Sequence, residues 1–168
     1  AMKEFDVTGV AGTLEVLPAD VYVATFFGSD DDWTDTVYVS DDCENFYAIS
    51  EVPNEMRDPS IMFKDGYYWV VTCLNEEDGD LWLNVSRSSD LVKWTEPSLM
   101  GPFSLERLPQ RGGNEFDVVA PEWFLDTDGS VHIIISCGWW GDCHGNPGDD
   151  HMDTYMFDVS SLKATSDG

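Results

Sequence analysis

Met56-Arg57-Asp58-Pro59-Ser60-Ile61-Met62-Phe63-Lys64-Asp65-Gly66-Tyr67-Tyr68-Trp69-Val70-Val71 is a braced turn that runs straight into a hairpin. Pro59 has no amide hydrogen to give a ladder, and its ring biases Asp58 away from the right-handed helical region. Ser60 to Phe63 reads as a short strand. Lys64-Asp65-Gly66 reads as a tight turn with Gly66 at positive φ, and Tyr67 to Thr72 returns as an aromatic and β-branched strand. This places the Asp58 carboxylate at the mouth of a strand, where a sheet edge would hold an acid or base rigidly. The competing reading is an aspartate that caps its own turn.

Working outward, the same pattern recurs on both sides. Upstream, Val21 to Phe27 is a strand, Gly28 to Asp35 an acidic loop with one Trp, and Thr36 to Ser40 a second strand. Ser40-Asp41-Asp42-Cys43-Glu44-Asn45-Phe46 then forms a polar turn closed by an aromatic. After the central hairpin come the acidic loop Asn75 to Asp80 and the strand Leu81 to Ser86. Ser88-Ser89-Asp90-Leu91-Val92-Lys93-Trp94 is again a polar turn closed by an aromatic. Further on, Ala120-Pro121-Glu122-Trp123-Phe124-Leu125 aligns with Asp58 to Phe63. Asp128-Gly129 aligns with Asp65-Gly66, Val131 to Ser136 with the returning strand, and Thr154 to Val159 with the strand after it. One insertion, roughly 138–150, lengthens the third unit. Repeated units of three or four short antiparallel strands, with no amphipathic helix, predict an all-β fold of β-propeller blades. Residues 1–18 lack periodicity and read as an irregular N-terminal segment; 19–168 read as one partial propeller domain. The chain holds about two and a half blades, against the roughly four to eight with which propellers close. The rest of the ring is therefore expected from a longer chain or from another copy.

Composition narrows the function. The chain has 168 residues, with 33 acidic against 8 basic side chains and a formal charge of −25. Such a surface repels phosphate backbones and anionic lipid, which argues against nucleic-acid and membrane-surface roles. No run of 18 apolar residues of the kind a spanning helix needs is present. The start carries no signal-peptide pattern, and Ala1-Met2 reads as a tag remnant. Seven Trp, six Tyr and nine Phe are abundant; many must build the core, and an excess also suits a cleft where rings stack on sugar faces. Cys43, Cys73, Cys137 and Cys143 form no C-x-x-C pair, and the sequence leaves Cys137 and Cys143 open to a bridge or to free thiols.

Taken together, these segments resemble glycoside hydrolase family 43, five-bladed propeller enzymes that cut arabinose- and xylose-containing glycans. Arg57-Asp58-Pro59-Ser60-Ile61 with Asp65-Gly66-Tyr67-Tyr68 carries the resemblance. So do Ser88-Ser89-Asp90-Leu91-Val92-Lys93-Trp94 and Val119-Ala120-Pro121-Glu122. The resemblance covers roughly 20–168. It implies hydrolysis with inversion, in which carboxyls about 6.5–9.5 Å apart leave room for a water. It implies Asp58 as general base, Arg57 as its binding or pKa-lowering partner, an oligosaccharide or polysaccharide substrate, and no required cofactor. Glu122 is expected at the funnel rim, in substrate binding or on a neighbouring strand, rather than as the acid. A second Asp-Pro and the family's Glu-Gly-Pro acid motif do not occur in the sequence. The alternative is therefore a non-catalytic glycan-binding or structural propeller module.

Trp139 and Trp140, at the start of the insertion, are candidates for a sugar-stacking platform or for packing between blades. Asp142, His144, Asp149, Asp150, His151 and Asp153 follow them. Their hard oxygens would suit Ca²⁺, yet no EF-hand pattern is present and a solvated acidic loop is the preferred reading. No metal site is assigned. His132, alternating within an apolar strand, reads as a packed structural residue. Ser40-Asp41 and Ser89-Asp90 are also similar to the Asp-box of sialidases, a structural turn that speaks for a propeller and not for activity.

Overall fold

The structure, a computed structural model, describes residues 21–29, 32–53, 57–73, 76–77, 80–103, 116–139, 152–159 and 162. All its regular elements are strands: β1 (Tyr22–Ser29), β2 (Asp32–Ser40), β3 (Tyr47–Val52), β4 (Ser60–Lys64), β5 (Tyr67–Thr72), β6 (Glu76–Glu77), β7 (Asp80–Ser88), β8 (Ser98–Phe103), β9 (Phe116–Leu125), β10 (Val131–Trp139) and β11 (Met152–Asp158). They form three antiparallel sheets. The first runs β1-β2-β3, and the middle one β4-β5-β7 with β6 and β8 both on β7. The third runs β9-β10-β11.

Local chemistry explains the turns. Lys64 pairs with Tyr67, so Asp65 and Gly66 alone make the β4–β5 connection. Both have positive φ (52° and 84°), as a two-residue hairpin that follows strand twist requires. The matching turn of the third sheet is longer, because Leu125 pairs with Val131 and the Asp126 amide donates to the Ser130 carbonyl. At the ends of β2 and β7, Ser40 Oγ donates to Asp42 and Ser88 Oγ to Asp90 (3.0 and 3.1 Å). Asp42 then accepts from the amides of Glu44 and Asn45, and Asp90 from those of Val92 and Lys93. The Asn45 amide, with Asn45's side chain, holds the Asp42 carboxyl well below its usual range. Burial pulls Asp90 upward, but the Lys93 and Val92 amides outweigh it and leave it low. The working pair is therefore Ser-x-Asp, not the adjacent Ser40-Asp41 and Ser89-Asp90 read from the sequence. Cys43 and Leu91, the residues that follow, share a left-handed φ of 63°.

That shared turn aligns the units. β1, β2 and β3 match β5, β7 and β8, while β9, β10 and β11 match β4, β5 and β7. The first sheet thus supplies the second to fourth strands of a blade, and the third sheet the first to third. This is the expected partial propeller. β3 and β8 were not foreseen, because Tyr47–Val52 and Ser98–Phe103 carry mixed polarity on outer strands. The expected acidic loop at 28–35 is also corrected. Asp32 to Asp35 belong to β2, and Asp35 is fully buried (0% exposed).

The middle sheet is covered on both faces. Trp69 and Val71 of β5 join Leu83, Val85 and Phe103 against Val131, Ile133 and Ile135 of the third sheet. Val70, in between, packs with Val37, Val39, Val52 and Leu91 toward the first sheet. Alternation on a strand buried on both sides explains why β5 reads as an unbroken apolar run. Polar ties cross the same seams: Ser50 Oγ donates to the Leu91 carbonyl (2.6 Å) and accepts from Trp94 Nε1 (3.0 Å). Residues 1–18 lie outside the described residues.

Candidate functional site

The Asp58 turn is tied to all three sheets. From the first, Thr25 Oγ1 on β1 donates to the Pro59 carbonyl (3.2 Å). From the middle sheet, the Cys73 amide at the end of β5 donates to the Arg57 carbonyl (3.1 Å), and Cys73 Sγ donates to Asp58 Oδ2 (3.3 Å). From the third, the Ala120 amide on β9 donates to the same Asp58 oxygen (3.2 Å). The Asp58 carboxylate is thus bonded by groups 15 and 62 residues away, on other strands.

The backbone there is unusual. Pro59 was expected to keep Asp58 out of the right-handed helical region, and Asp58 has φ 57°, in the left-handed region. Aspartate tolerates that region better than most side chains. Ala120, the repeat's counterpart before Pro121, has φ 51°. In β9 the Ala120-Pro121 pair opposes Ile135 as a bulge, since Glu122 pairs with Ile134 and Val119 with Ser136. A bulge accommodates a proline that has no ladder hydrogen to give and re-aims the neighbouring amide. Here that amide meets Asp58. One X-Pro kink carries the carboxylate and its repeat counterpart supplies an amide to it.

Glu122 is exposed, and its Oε2 accepts from Ser60 Oγ (3.3 Å), which in turn accepts from the Trp123 amide (3.2 Å). Trp123 Nε1 donates to the Trp69 carbonyl (3.1 Å). Arg57 is exposed beside Asp58. Trp139 closes β10 opposite Phe116; its side chain and all of Trp140 lie outside the described residues, as do Asp142, His144, Asp149, Asp150 and His151. Asp153 lies on β11 opposite Cys137, with its side chain also outside them. His132 Nδ1 meets Asp158 Oδ1 at 2.9 Å and its ring packs on Phe124. Among the described residues no group of three or more metal-ligating side chains forms a cation site.

Asp35 is the residue that sequence reasoning missed. It pairs with Phe27 and Val52, and neither of its oxygens has a hydrogen-bond partner among the described residues. Burial, with the charge of Asp58 adding to it, pushes its carboxyl up to about 8. Burial and the same Asp58 charge push the Cys73 thiol up to about 12, so Cys73 is a donor here and no nucleophile. The signal for Asp35 was available in its alternation with Val37 and Val39, which sets it on the buried face of β2.

No family model matches the chain, and no curated protein matches it significantly. Solved structures do share its fold. One is the family 93 α-L-arabinofuranosidase of Fusarium graminearum in complex with arabinobiose, with TM-score 0.54 and 14% identity, covering 81% of this chain and 40% of that one. Another is the arabinanase of Bacillus subtilis, with TM-score 0.50 and 14% identity, covering 84% and 53%. A third is the α-L-arabinanase of Penicillium chrysogenum complexed with arabinobiose, with TM-score 0.50 and 12% identity, covering 81% and 39%. At these identities the likeness is one of fold: this chain has propeller blades. It spans about half, or less, of the length of these proteins.

Proposed function

We propose that the chain forms part of a glycoside hydrolase site for arabinose- or xylose-containing glycans, working by inversion with Asp58 as general base. The observation that carries this reading is the Asp58 turn. Its half-buried carboxylate sits on a strained left-handed residue where three sheets meet, held by an amide from one neighbour and a thiol from another. Strain of this kind costs of order 1–3 kcal/mol and persists where the surroundings over-determine it, as at active sites. A carboxylate fixed in this way could orient and deprotonate a water for attack on the anomeric carbon, while an acid across the funnel protonates the leaving oxygen. Arg57 would steer substrate or favour the ionised base. Trp139 and Trp140 would offer stacking surfaces. The fold shared with arabinose-processing enzymes makes that substrate class the first to test.

The test is turnover of aryl arabinofuranosides, aryl xylosides and arabinan by the intact protein and by Asp58→Asn. Loss of about 10²-fold or more in kcat in a folded variant supports a proton-transfer role. Undiminished turnover in a folded Asp58→Asn protein removes Asp58 from the mechanism. The second reading, a glycan-binding module without hydrolysis, draws on the lack of a Glu-Gly-Pro acid motif in the sequence. It predicts saturable binding of the same glycans with no released sugar.

A further inference from the structure

The repeat makes Asp35 conspicuous. Aligned through the Ser-x-Asp turns, Asp35 of β2 stands where β7 has Leu83, and both are fully buried (0% exposed). Val37 likewise stands where β7 has Val85. Each of these faces packs on the next sheet, so one unit put a carboxyl where its neighbour has a core leucine. Burying a polar group without a partner is destabilising. A second orphan lies in the same seam. Thr72 of β5 is fully buried, and its Oγ1 has no partner among the described residues. Alternation puts Thr72 on the same face as Val70, which packs with Val37 in the seam between the first two sheets.

Both orphans lie at one end of that seam. β2 enters it at Asp35 and β5 leaves it at Thr72, next to Cys73, whose thiol bonds Asp58. β3 ends at Val52, opposite Asp35, a few residues before Asp58. The seam is apolar through Val37, Val39 and Val70; Ser50 is hydrogen-bonded across it, whereas Asp35 and Thr72 have no partner among the described residues. Among the described residues the charged group that acts on Asp35 is Asp58. On the first sheet Asp35 pairs with Val52 and with Phe27, two residues beyond Thr25, which pairs with Val37 and donates to the Pro59 carbonyl.

We propose that Asp35 is a positioning residue for Asp58: buried with Thr72 in the seam behind the Asp58 turn, it acts on the Asp58 carboxylate through its own charge state. A neutral Asp35 leaves Asp58 ionised without a like-charged neighbour. An ionised Asp35 adds a second buried anion that repels Asp58 and strains the turn. The direction of the Asp35 shift, upward with Asp58's charge as a contributor, agrees with this geometry. The bearing on turnover rests on Asp58 being the general base; the electrostatic pairing does not.

Carboxyl ¹³C titration of aspartate-labelled protein tests the pairing directly. One buried aspartate should titrate near pH 8 and be absent in Asp35→Asn. The Asp58 resonance should show an inflection at that same pH, lost in Asp35→Asn, and the Asp35 midpoint should fall in Asp58→Asn. An Asp58 resonance that is flat near pH 8, or whose inflection survives Asp35→Asn, overturns the proposal. So does an Asp35 midpoint unmoved by Asp58→Asn, an arm that decides the matter even if Asp35→Asn does not fold. Because these signals need no substrate, a pairing that holds in a protein with no glycosidase activity would count against the functional reading alone.

Discussion

Replacing Asp35 by asparagine removes one titrating carboxyl from the seam between the first two sheets and keeps its shape. In the unfolded chain Asp35 titrates near about 3.9, and in the folded chain near about 8. Between those values the native state holds a proton that the unfolded state has released. Stability therefore falls as pH rises through this window, by up to ~1.4 kcal/mol per unit, and levels off above pH 8. From pH 5 to pH 8 this one group should remove roughly 3 kcal/mol. Asparagine does not titrate, so its own burial penalty is the same at every pH. Urea unfolding of native protein and Asp35→Asn at pH 5, 6, 7 and 8 isolates the difference. The native protein should lose roughly 3 kcal/mol relative to the variant across the series, with the steepest change between pH 5 and pH 7. A difference constant within about 0.5 kcal/mol would refute the reasoning, because Asp35 would then be ionised in the folded state or accessible to water.

Three further changes probe the frame around the site. Glu122→Gln keeps an acceptor for Ser60 Oγ, so turnover should fall far less than in Asp58→Asn; an equally complete loss in steady-state assays would exchange the roles of the two. Ser50→Ala strands the Leu91 carbonyl and the Trp94 indole N–H, and should lower unfolding free energy by about 1–3 kcal/mol in urea. Gly66→Ala meets no atom within 4 Å, so its loss, about 1–2 kcal/mol, should come from backbone strain at φ 84° alone. An unchanged midpoint would mean that the β4–β5 turn relaxes freely.

Much of the fold was legible because its signals are local. The Asp65-Gly66 hairpin, the polar turns at Ser40 and Ser88 and the apolar run of β5 all depend on neighbours within a few residues. Their repetition along the chain was enough to identify blades. Asp58 stood out for the same reason, since a proline fixes what precedes it. The outer strands β3 and β8 escaped because an outer strand is half solvated and its residues need not alternate cleanly. The partners of Asp58 could not be read at all. Ala120 reaches it through a bulge whose register is set by pairing with β10, and Cys73 reaches it from the far end of a different strand. Asp35 is the clearest division between the two levels. Sequence alone determined that it is an acidic residue in step with Val37 and Val39. Only the packing of one sheet on the next decided that it is buried, unpartnered and beside another carboxylate, because desolvation and charge proximity depend on groups brought together across the chain.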